Sequence, residues 1–421
     1  MKKNKLFGCL MIIAFIIAIP LQSFAYSVLT HEALIDANWD KAIVPLLKDK
    51  FPGVTQDQLT EAQAYAYGGA VAPDMGYYPF GSKLFTNLVH YVRSGDFVEA
   101  LLQESQTVYE YAFALGALCH YNADIYGHSL GVNKSVPLIY PEMRKKYGNV
   151  VTYAEDNLSH KRTEFAFDVL QTARGSYAST AYHKFIGFQV SKEVLERAFK
   201  KTYGLDVNDL FGNFNRAVNT FRWACNSLFP ELTKIAWSRR KADIKKVNPT
   251  ATSRSFEYRM HKATYKRDFG KDYNQPRFFA RFFGVLLRII PKFGPLKAFK
   301  FRKPTPEAEK LFISSFDSVG KHFDARLAAL HSSTLNLSDM DFDTGNPTTI
   351  GEYPLSDKTY EEWLLKLKSS NFETVSPQIK NNIISFYQGH DAILAANTDT
   401  GDFQKTKDAL QQLKNTNISL H

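Results

Sequence analysis

The chain of 421 residues has few cysteines and only one long apolar run. Three cysteines in a chain of this size exclude a disulfide framework, and only Cys119 and Cys225 follow the first 25 residues. These two could pair in an oxidising compartment or could be small buried side chains. The sequence contains no internal repeat and no low-complexity segment, and 44% of its residues are hydrophobic. The composition therefore predicts a globular protein that is soluble once exported.

The apolar run lies at the amino terminus, in MKKNKLFGCLMIIAFIIAIPLQSFA (residues 1–25). A lysine-rich start, a short apolar core and small residues at Ser23 and Ala25 are typical of a secretory signal peptide. A membrane-anchoring helix is the alternative, but the run is short and Pro20 interrupts it near its end. We therefore expect export to the periplasm or the extracellular space, with Tyr26 as the first residue of the mature chain.

Side chains that can bind metals recur at helical spacing in the amino-terminal half. His120, Asp124 and His128 follow one another in steps of four residues, and His160 and Glu164 repeat that step. Because each helical residue advances by about 100°, such a step keeps the side chains on one face. A lone histidine on an apolar helix is usually a core residue bonded to a backbone carbonyl, but several in register favour a metal cluster inside a helical bundle. Nitrogen and carboxylate ligands suit zinc better than calcium or an iron–sulfur centre.

The order of candidate ligands along the chain resembles that of a known family. The order is Tyr26, His31, Asp74, His90, His120, Asp124, His128, His160 and Glu164. It resembles the zinc-dependent phospholipase C family over roughly residues 26–235. The four-residue step from Asp124 to His128 looks most like the amino-terminal domain of glycosylphosphatidylinositol-specific phospholipase D. The secreted bacterial phospholipases C and the single-strand-specific zinc nucleases, which share the fold, have a six-residue step there.

The resemblance implies an all-α, multi-helix phospholipase C/nuclease-like bundle with up to three zinc ions in its core. The implied ligand sets are Asp74, His90, His120 and Asp124 for the first ion, His128, His160 and Glu164 for the second, and Tyr26 with His31 for the third. Tyr26 would contribute its free amine and its carbonyl, Asp124 would bridge the first and third ions, and Asp74 would also be the general base. Metal-activated hydroxide would then attack a phosphodiester.

Local sequence around the first of these ligands predicts a loop followed by a helix. Gly68, Gly69, Pro73 and Gly76 predict that Asp74 lies on a loop. His90 is expected near the start of the next helix. Several tyrosines surround these two ligands and could either line a headgroup pocket or belong to the core; they are Tyr65, Tyr67, Tyr77, Tyr78 and Tyr91.

Positive charge is concentrated in residues 239–303, which contain 19 Lys or Arg against four Asp or Glu, whereas the whole chain has a net charge of +10. Such a segment suits an anionic membrane surface or a nucleic acid. Arg277, Arg281, Arg288 and Lys292 form a narrow basic stripe on an otherwise apolar helix. This helix could rest on lipid as an interfacial helix. Alternatively, it could pack on the catalytic domain with only its basic edge exposed.

The chain divides into a signal peptide (1–25), a catalytic domain (26–235), a basic, aromatic-rich segment ending in the amphipathic helix (236–303), and a helical carboxy-terminal region (304–421). In the last region a helix is expected to begin at Pro306. A later loop carries aspartates at alternating positions, as a calcium loop does, namely Asp339, Asp341 and Asp343. Its glycine and closing glutamate are not at the offsets that calcium requires, so we do not predict calcium there.

Three functions fit this sequence, and a phosphodiester hydrolase of the phospholipase C/D type fits best. A zinc-dependent single-strand nuclease would use the basic segment to bind nucleic acid, but that segment lacks a series of isolated stacking aromatics. A non-catalytic binding protein with structural zinc fits less well, because structural zinc sites are closed by four ligands and this chain offers more. We therefore expect a phospholipid, or another phosphodiester, as the substrate.

Overall fold

The structure is a computed structural model that describes residues 28–174, 188–225, 241–242, 244–246, 249–250, 252, 301–389 and 400–417. The described residues form helices joined by turns, which confirms the all-α prediction. Within these ranges no β-strand is present, and the β-pairing found is one isolated bridge between Met340 and Pro347. None of the described helices is both long enough and apolar enough to cross a membrane.

The part up to residue 174 consists of nine labelled helices with short irregular turns between some of them. The helices are α1 (Val28–Asn38), α2 (Val44–Lys50), α3 (Gln56–Val71), α4 (Lys83–Tyr91), α5 (Ser94–Glu104), α6 (Val108–Gly127), α7 (Asn133–Ile139), α8 (Pro141–Tyr147) and α9 (Asn157–Arg174). A 3₁₀ turn at Ala72–Tyr77 follows α3, and a π-helical turn at His128–Val132 follows α6. Side-chain caps fix the helix starts, since Thr55 forms a capping box with Gln58 at α3.

The glycine-rich stretch before Asp74 is helical, so the prediction of a loop there was wrong. Helix α3 continues through Gly68 and Gly69 to Val71, and Asp74 lies on the 3₁₀ turn that follows. The glycines serve close packing, because a Cβ atom on Gly69 would lie only 1.9 Å from the backbone oxygen of Phe113 on α6. Helices α3 and α6 therefore approach each other at a distance that larger side chains would prevent.

His90 lies in the last turn of α4, one residue before its end, and not near a helix start as expected. The start is set by Ser82, whose hydroxyl accepts a hydrogen bond from the backbone N–H of Phe85 at 3.3 Å. This position places His90 beside His120 and Asp124, the two candidate ligands on α6.

The remaining described helices are α10 (Lys192–Tyr203), α11 (Phe214–Trp223), α12 (Pro306–His331), α13 (Pro354–Ser369), α14 (Pro377–Tyr387) and α15 (Thr400–Asn415). The predicted start of α12 at Pro306 is confirmed, and Thr305 caps it by accepting from the N–H of Ala308 at 3.2 Å. Helix α12 packs along α6, α7 and the π turn, while α13 packs on α4.

One hydrophobic core joins the amino-terminal helices to the carboxy-terminal region. The buried set runs from Leu34 on α1 to Phe312 on α12 and Trp363 on α13. Polar contacts cross the same boundary, since the indole N–H of Trp363 donates to the backbone oxygen of Tyr203 at 2.8 Å. The domain limits given above stay predictions, but the described parts of both regions pack as one body. Two free thiols, Cys119 and Cys225, lie buried in it.

Candidate metal centre

Eight of the nine predicted metal ligands are described, and each of these is at most 5% exposed. They are His31 on α1, Asp74 on the 3₁₀ turn, His90 on α4, His120 and Asp124 on α6, His128 on the π turn, and His160 and Glu164 on α9. The ninth, Tyr26, lies outside the described residues. The membrane-contact candidates Arg277, Arg281, Arg288 and Lys292 also lie outside them and stay predictions.

Asp124 lies at the middle of the first group of ligands. Its Oδ1 atom is 3.5 Å from His31 Nε2, and its Oδ2 atom is 3.1 Å from His120 Nε2 and 3.5 Å from His90 Nε2. Asp74 joins the group through an Oδ1 atom 3.3 Å from His90 Nε2. Each oxygen of Asp124 thus faces a different set of imidazoles, as a carboxylate that bridges two cations would.

Backbone carbonyls fix the ring orientation of two of these histidines. The Nδ1 atom of His90 lies 2.8 Å from the oxygen of Thr86, and the Nδ1 atom of His120 lies 2.9 Å from the oxygen of Ala70. Because a carbonyl can only accept, each Nδ1 carries a hydrogen and the two Nε2 atoms face the site. Those Nε2 atoms are 3.3 Å apart. Two lone pairs at this distance repel, so either a proton or a metal cation must lie between them.

The buried polar atoms of the centre fit a metal. Within the described part of the chain, both oxygens of Asp124, Asp74 Oδ1 and both oxygens of Glu164 make no hydrogen bond. Buried carboxylate oxygens are normally hydrogen-bonded, so this concentration of unsatisfied oxygens at one place indicates a ligand. Two of the ligand clusters are His31, His120, Asp124 and Asp74, His90, His120. Imidazole nitrogen with carboxylate oxygen is the donor set that zinc prefers.

The second group surrounds His128 and His160, whose rings meet edge to face with centroids 5.0 Å apart. Glu164 Oε1 is 2.9 Å from His160 Nδ1 and 3.4 Å from His128 Nε2. On the other ring edges, Asp343 Oδ1 is 3.4 Å from His160 Nε2 and 3.7 Å from His128 Nδ1. A third cluster that could hold a metal contains His128, His160 and Asp343.

Sequence reasoning did not include Asp343 in the metal centre. The alternating aspartates drew attention to this loop, but as a poor match to a calcium site. The other two have structural partners instead of a cation: Asp339 Oδ1 accepts from the backbone N–H groups of Gly95 and Asp96 at 3.1 Å. Asp341 Oδ1 accepts from the N–H groups of Asp343 and Thr344 at 2.8 Å.

The tyrosines near the site are mostly buried, which favours the core interpretation over an open headgroup pocket. Tyr67, Tyr77, Tyr78 and Tyr91 are all at most 7% exposed. Tyr77 packs edge-on against His90, with ring centroids 6.3 Å apart. The aromatic rings therefore form the wall that holds the ligands in place.

Without a metal ion, protonated histidines balance the negative charge of the carboxylates in the centre. Burial lowers the pKa of His90, but the nearby carboxylates of Asp124 and Asp74 outweigh it and raise the pKa to about 10. Burial also lowers the pKa of His160, and Glu164 and Asp343 raise it to about 10. Burial raises the pKa of Asp124, yet His120 and His128 hold that pKa well below its usual range. A zinc ion must therefore displace protons when it binds.

We predict that zinc binds this protein more tightly as the pH rises from 6.5 toward 10. The folded-state pKa values of His90 and His160 lie above the ordinary histidine value of 6.5. Their protonated contacts therefore stabilise the metal-free fold below pH 6.5, and that stabilisation is lost as the pH approaches 10. Over the same range the zinc affinity should rise about tenfold per pH unit for each displaced proton. Chelator-competition titrations at pH 6.5 and 8.5 measure this, and an unchanged or weaker affinity at pH 8.5 would contradict it.

Comparison with protein families supports the assignment of zinc to this centre. Residues 30–212 match the family model described as zinc dependent phospholipase C. This region belongs to the zinc-dependent phospholipase C family. The phospholipase C region contains every described ligand from His31 to Glu164, whereas Asp343 lies beyond it. No curated protein and no solved structure matches the chain.

Proposed function

We propose that the protein is an exported, zinc-dependent phosphodiester hydrolase of the phospholipase C/D type that acts on phospholipids. The observation that carries the proposal is the convergence of His31, His90 and His120 on the two oxygens of Asp124. This arrangement is buried inside a region of the zinc-dependent phospholipase C family. A phospholipase C-type hydrolase acting on phospholipid follows from the family. Export, the D-type alternative and the nucleophile are our own proposals.

The residues present would hold up to three zinc ions. The proposed sets are Asp74, His90, His120 and Asp124; His128, His160 and Glu164; and His31 with the terminal amine and carbonyl of Tyr26. Zinc, when bound, supplies Lewis acidity that polarises phosphoryl oxygens and acidifies a water molecule. Asp74 would accept the proton of the attacking water at its carboxylate, which lies at the edge of the cluster beside His90. The carbonyls of Thr86 and Ala70 keep His90 and His120 in the required orientation.

A substrate panel tests the proposed function. The mature protein, loaded with zinc or stripped by a chelator, is incubated with phosphatidylcholine vesicles, phosphatidylinositol vesicles and single-stranded DNA. We expect zinc-dependent release of diacylglycerol from one or both lipids. Phosphatidic acid would identify the D-type reaction, and cleavage of DNA alone would replace the proposal with the nuclease. Zinc binding without any hydrolysis would leave a non-catalytic zinc protein.

The proposed third zinc site depends on the position of the amino terminus. If Tyr26 supplies its amine, one extra glycine before it moves that amine by a whole residue while keeping every side chain. We predict that this extended protein binds one zinc ion fewer per chain than the protein that begins at Tyr26, as measured by elemental analysis. Mass spectrometry of the exported protein checks that cleavage follows Ala25. Equal zinc content in the two forms would contradict a role for the amine.

A further inference from the structure

Two carboxylates flank the same pair of imidazoles from opposite ring edges. Glu164 Oε1 faces His160 Nδ1 at 2.9 Å and His128 Nε2 at 3.4 Å. Asp343 Oδ1 faces the other nitrogens, His160 Nε2 at 3.4 Å and His128 Nδ1 at 3.7 Å. One cation takes one nitrogen from each imidazole, and the N–H on the opposite edge then needs an acceptor. One carboxylate is therefore placed to bind the metal and the other to orient the rings.

Asn133 decides which edge carries the N–H of His160. The side-chain Nδ2 of Asn133 donates to the backbone oxygen of Asp343 at 2.7 Å, so its Oδ1 is the atom that faces the ring. That Oδ1 lies 2.8 Å from His160 Nε2 in hydrogen-bond geometry. Because an amide oxygen only accepts, Nε2 carries the hydrogen and Nδ1 is left for the metal. The metal edge is then the Glu164 edge, where His160 Nδ1 and Glu164 Oε1 lie close without forming a hydrogen bond in the described structure.

The surroundings of Asp343 direct one of its oxygens toward the histidines. Its Oδ2 atom accepts from the hydroxyl of Tyr353 and, at 2.9 Å, from the backbone N–H of Tyr153. Its Oδ1 atom makes no hydrogen bond with the described residues and faces the two rings as a charge, at 3.4 Å from His160 Nε2 and 3.7 Å from His128 Nδ1. The carboxylate is 2% exposed, and a carboxylate so deeply buried is kept only where its charge has partners. The rings of His128 and His160 are the nearest groups that can supply such a charge.

We propose that Asp343, which lies outside the phospholipase C region, is a positioning residue that orients His128 and His160 for the metal on the Glu164 edge. The charged Oδ1 of Asp343 faces the ring edges turned away from the metal, at 3.4 Å from His160 Nε2 and 3.7 Å from His128 Nδ1. Its negative charge favours the tautomers that carry the hydrogen on those edges and makes both rings better ligands, while Asn133 accepts the N–H of His160. The second metal site is thus completed by the carboxy-terminal region. A direct role of Asp343 as a ligand is the rival arrangement, since one atom each of His128, His160 and Asp343 lie within 4.8 Å of one another.

The first test compares zinc binding by Asp343→Asn and Asp341→Asn with that of the wild type. Both variants change an aspartate of the same loop, but Asp341 does not contact the histidines: it bonds to Ser356 and accepts from the backbone N–H groups of Asp343 and Thr344, and asparagine keeps the oxygen that accepts these two N–H groups. We expect Asp343→Asn to weaken one zinc site by about 10- to 100-fold, with unchanged stoichiometry at saturating zinc. Asp341→Asn should differ from the wild type by no more than about twofold. Chelator-competition titration and elemental analysis give these two quantities.

The second test separates orientation from direct ligation by a spectroscopic signature. Cobalt(II) replaces zinc in Asp343→Cys and in the wild type, which supplies the background from Cys119 and Cys225. A thiolate bound to cobalt gives an intense near-ultraviolet charge-transfer band. We expect no band above the background, whereas a new band would show direct ligation and overturn the positioning role.

An unaltered zinc affinity in Asp343→Asn would also overturn the inference. The inference rests on the zinc binding of the proposed function but not on hydrolysis. A wild-type protein that binds zinc and an Asp343→Asn variant that binds it equally well would therefore refute this inference alone. A wild-type protein that binds no zinc would refute both.

Discussion

Replacing Asp124 with asparagine is expected to lower the zinc content of the protein and to reduce phosphodiester hydrolysis by more than about 100-fold. The two oxygens of Asp124 face His31 on one side and His90 with His120 on the other. Asparagine keeps one oxygen, loses the charge and places an N–H₂ group against a ligand nitrogen. Both predicted metal sites that share this carboxylate should therefore weaken together.

The matched control is Asp324→Asn, which makes the same chemical change at the surface. Asp324 is 46% exposed and pairs with Lys41 at 3.1 Å, far along the chain from the ligands. Surface pairs of this kind contribute little, so zinc content and hydrolysis should stay at the wild-type level. Elemental analysis and a lipid hydrolysis assay on the same samples measure both quantities. Full zinc content in Asp124→Asn, or full hydrolysis despite zinc loss, would contradict the shared-carboxylate arrangement.

Replacing Gly69 with alanine is expected to destabilise the fold by about 3 kcal/mol, because the added methyl group has no space. Its Cβ would lie 1.9 Å from the backbone oxygen of Phe113, and a backbone atom in a buried helix cannot move without its helix. Helices α3 and α6 would have to separate. Since α6 carries His120 and Asp124, the zinc affinity should fall as well.

Gly320→Ala provides the matched control for this helix substitution. Gly320 also lies inside a helix, α12, but nothing lies within 4 Å of the position that its Cβ would take. Alanine there should stabilise the protein by about 0.5 to 1 kcal/mol through helix propensity alone. Thermal unfolding of the zinc-loaded proteins should give a lower Tm for Gly69→Ala and an equal or higher Tm for Gly320→Ala. Equal Tm values for both variants would contradict the close contact of α3 with α6.

The sequence predicted well those parts of the centre that depend on one helix. The four-residue step from His120 to Asp124 places both side chains on one face because of helix geometry alone, and their contact at 3.1 Å follows from it. The same holds for His160 and Glu164. The prediction of a loop at Gly68 and Gly69 was wrong because the effect of a glycine depends on which other helix packs against it. Gly69 would interrupt an isolated helix, yet here it permits contact with Phe113 on another helix.

Asp343 could not be assigned from the sequence because no local pattern joins it to its partners. Its side chain meets His128 and His160 through a loop that lies far along the chain, beyond the phospholipase C region. Alternating aspartates indicate a loop with several acceptors, but spacing does not say which one turns inward. Their contacts distinguish them only in three dimensions, where Asp339 caps α5 and Asp343 faces the rings.

The loop that carries Asp343 also covers the ligands with backbone and aromatic contacts. The N–H of Phe342 donates to the backbone oxygen of His90 at 3.2 Å, and its ring lies 5.2 Å from that of His90. The hydroxyl of Tyr121, next to His120, donates to the backbone oxygen of Ser338 at 2.7 Å. A fragment that ends at residue 212, where the family match ends, would lack these contacts and leave this side of the centre open to water. The residues that enclose this centre therefore extend beyond the region that matches the family.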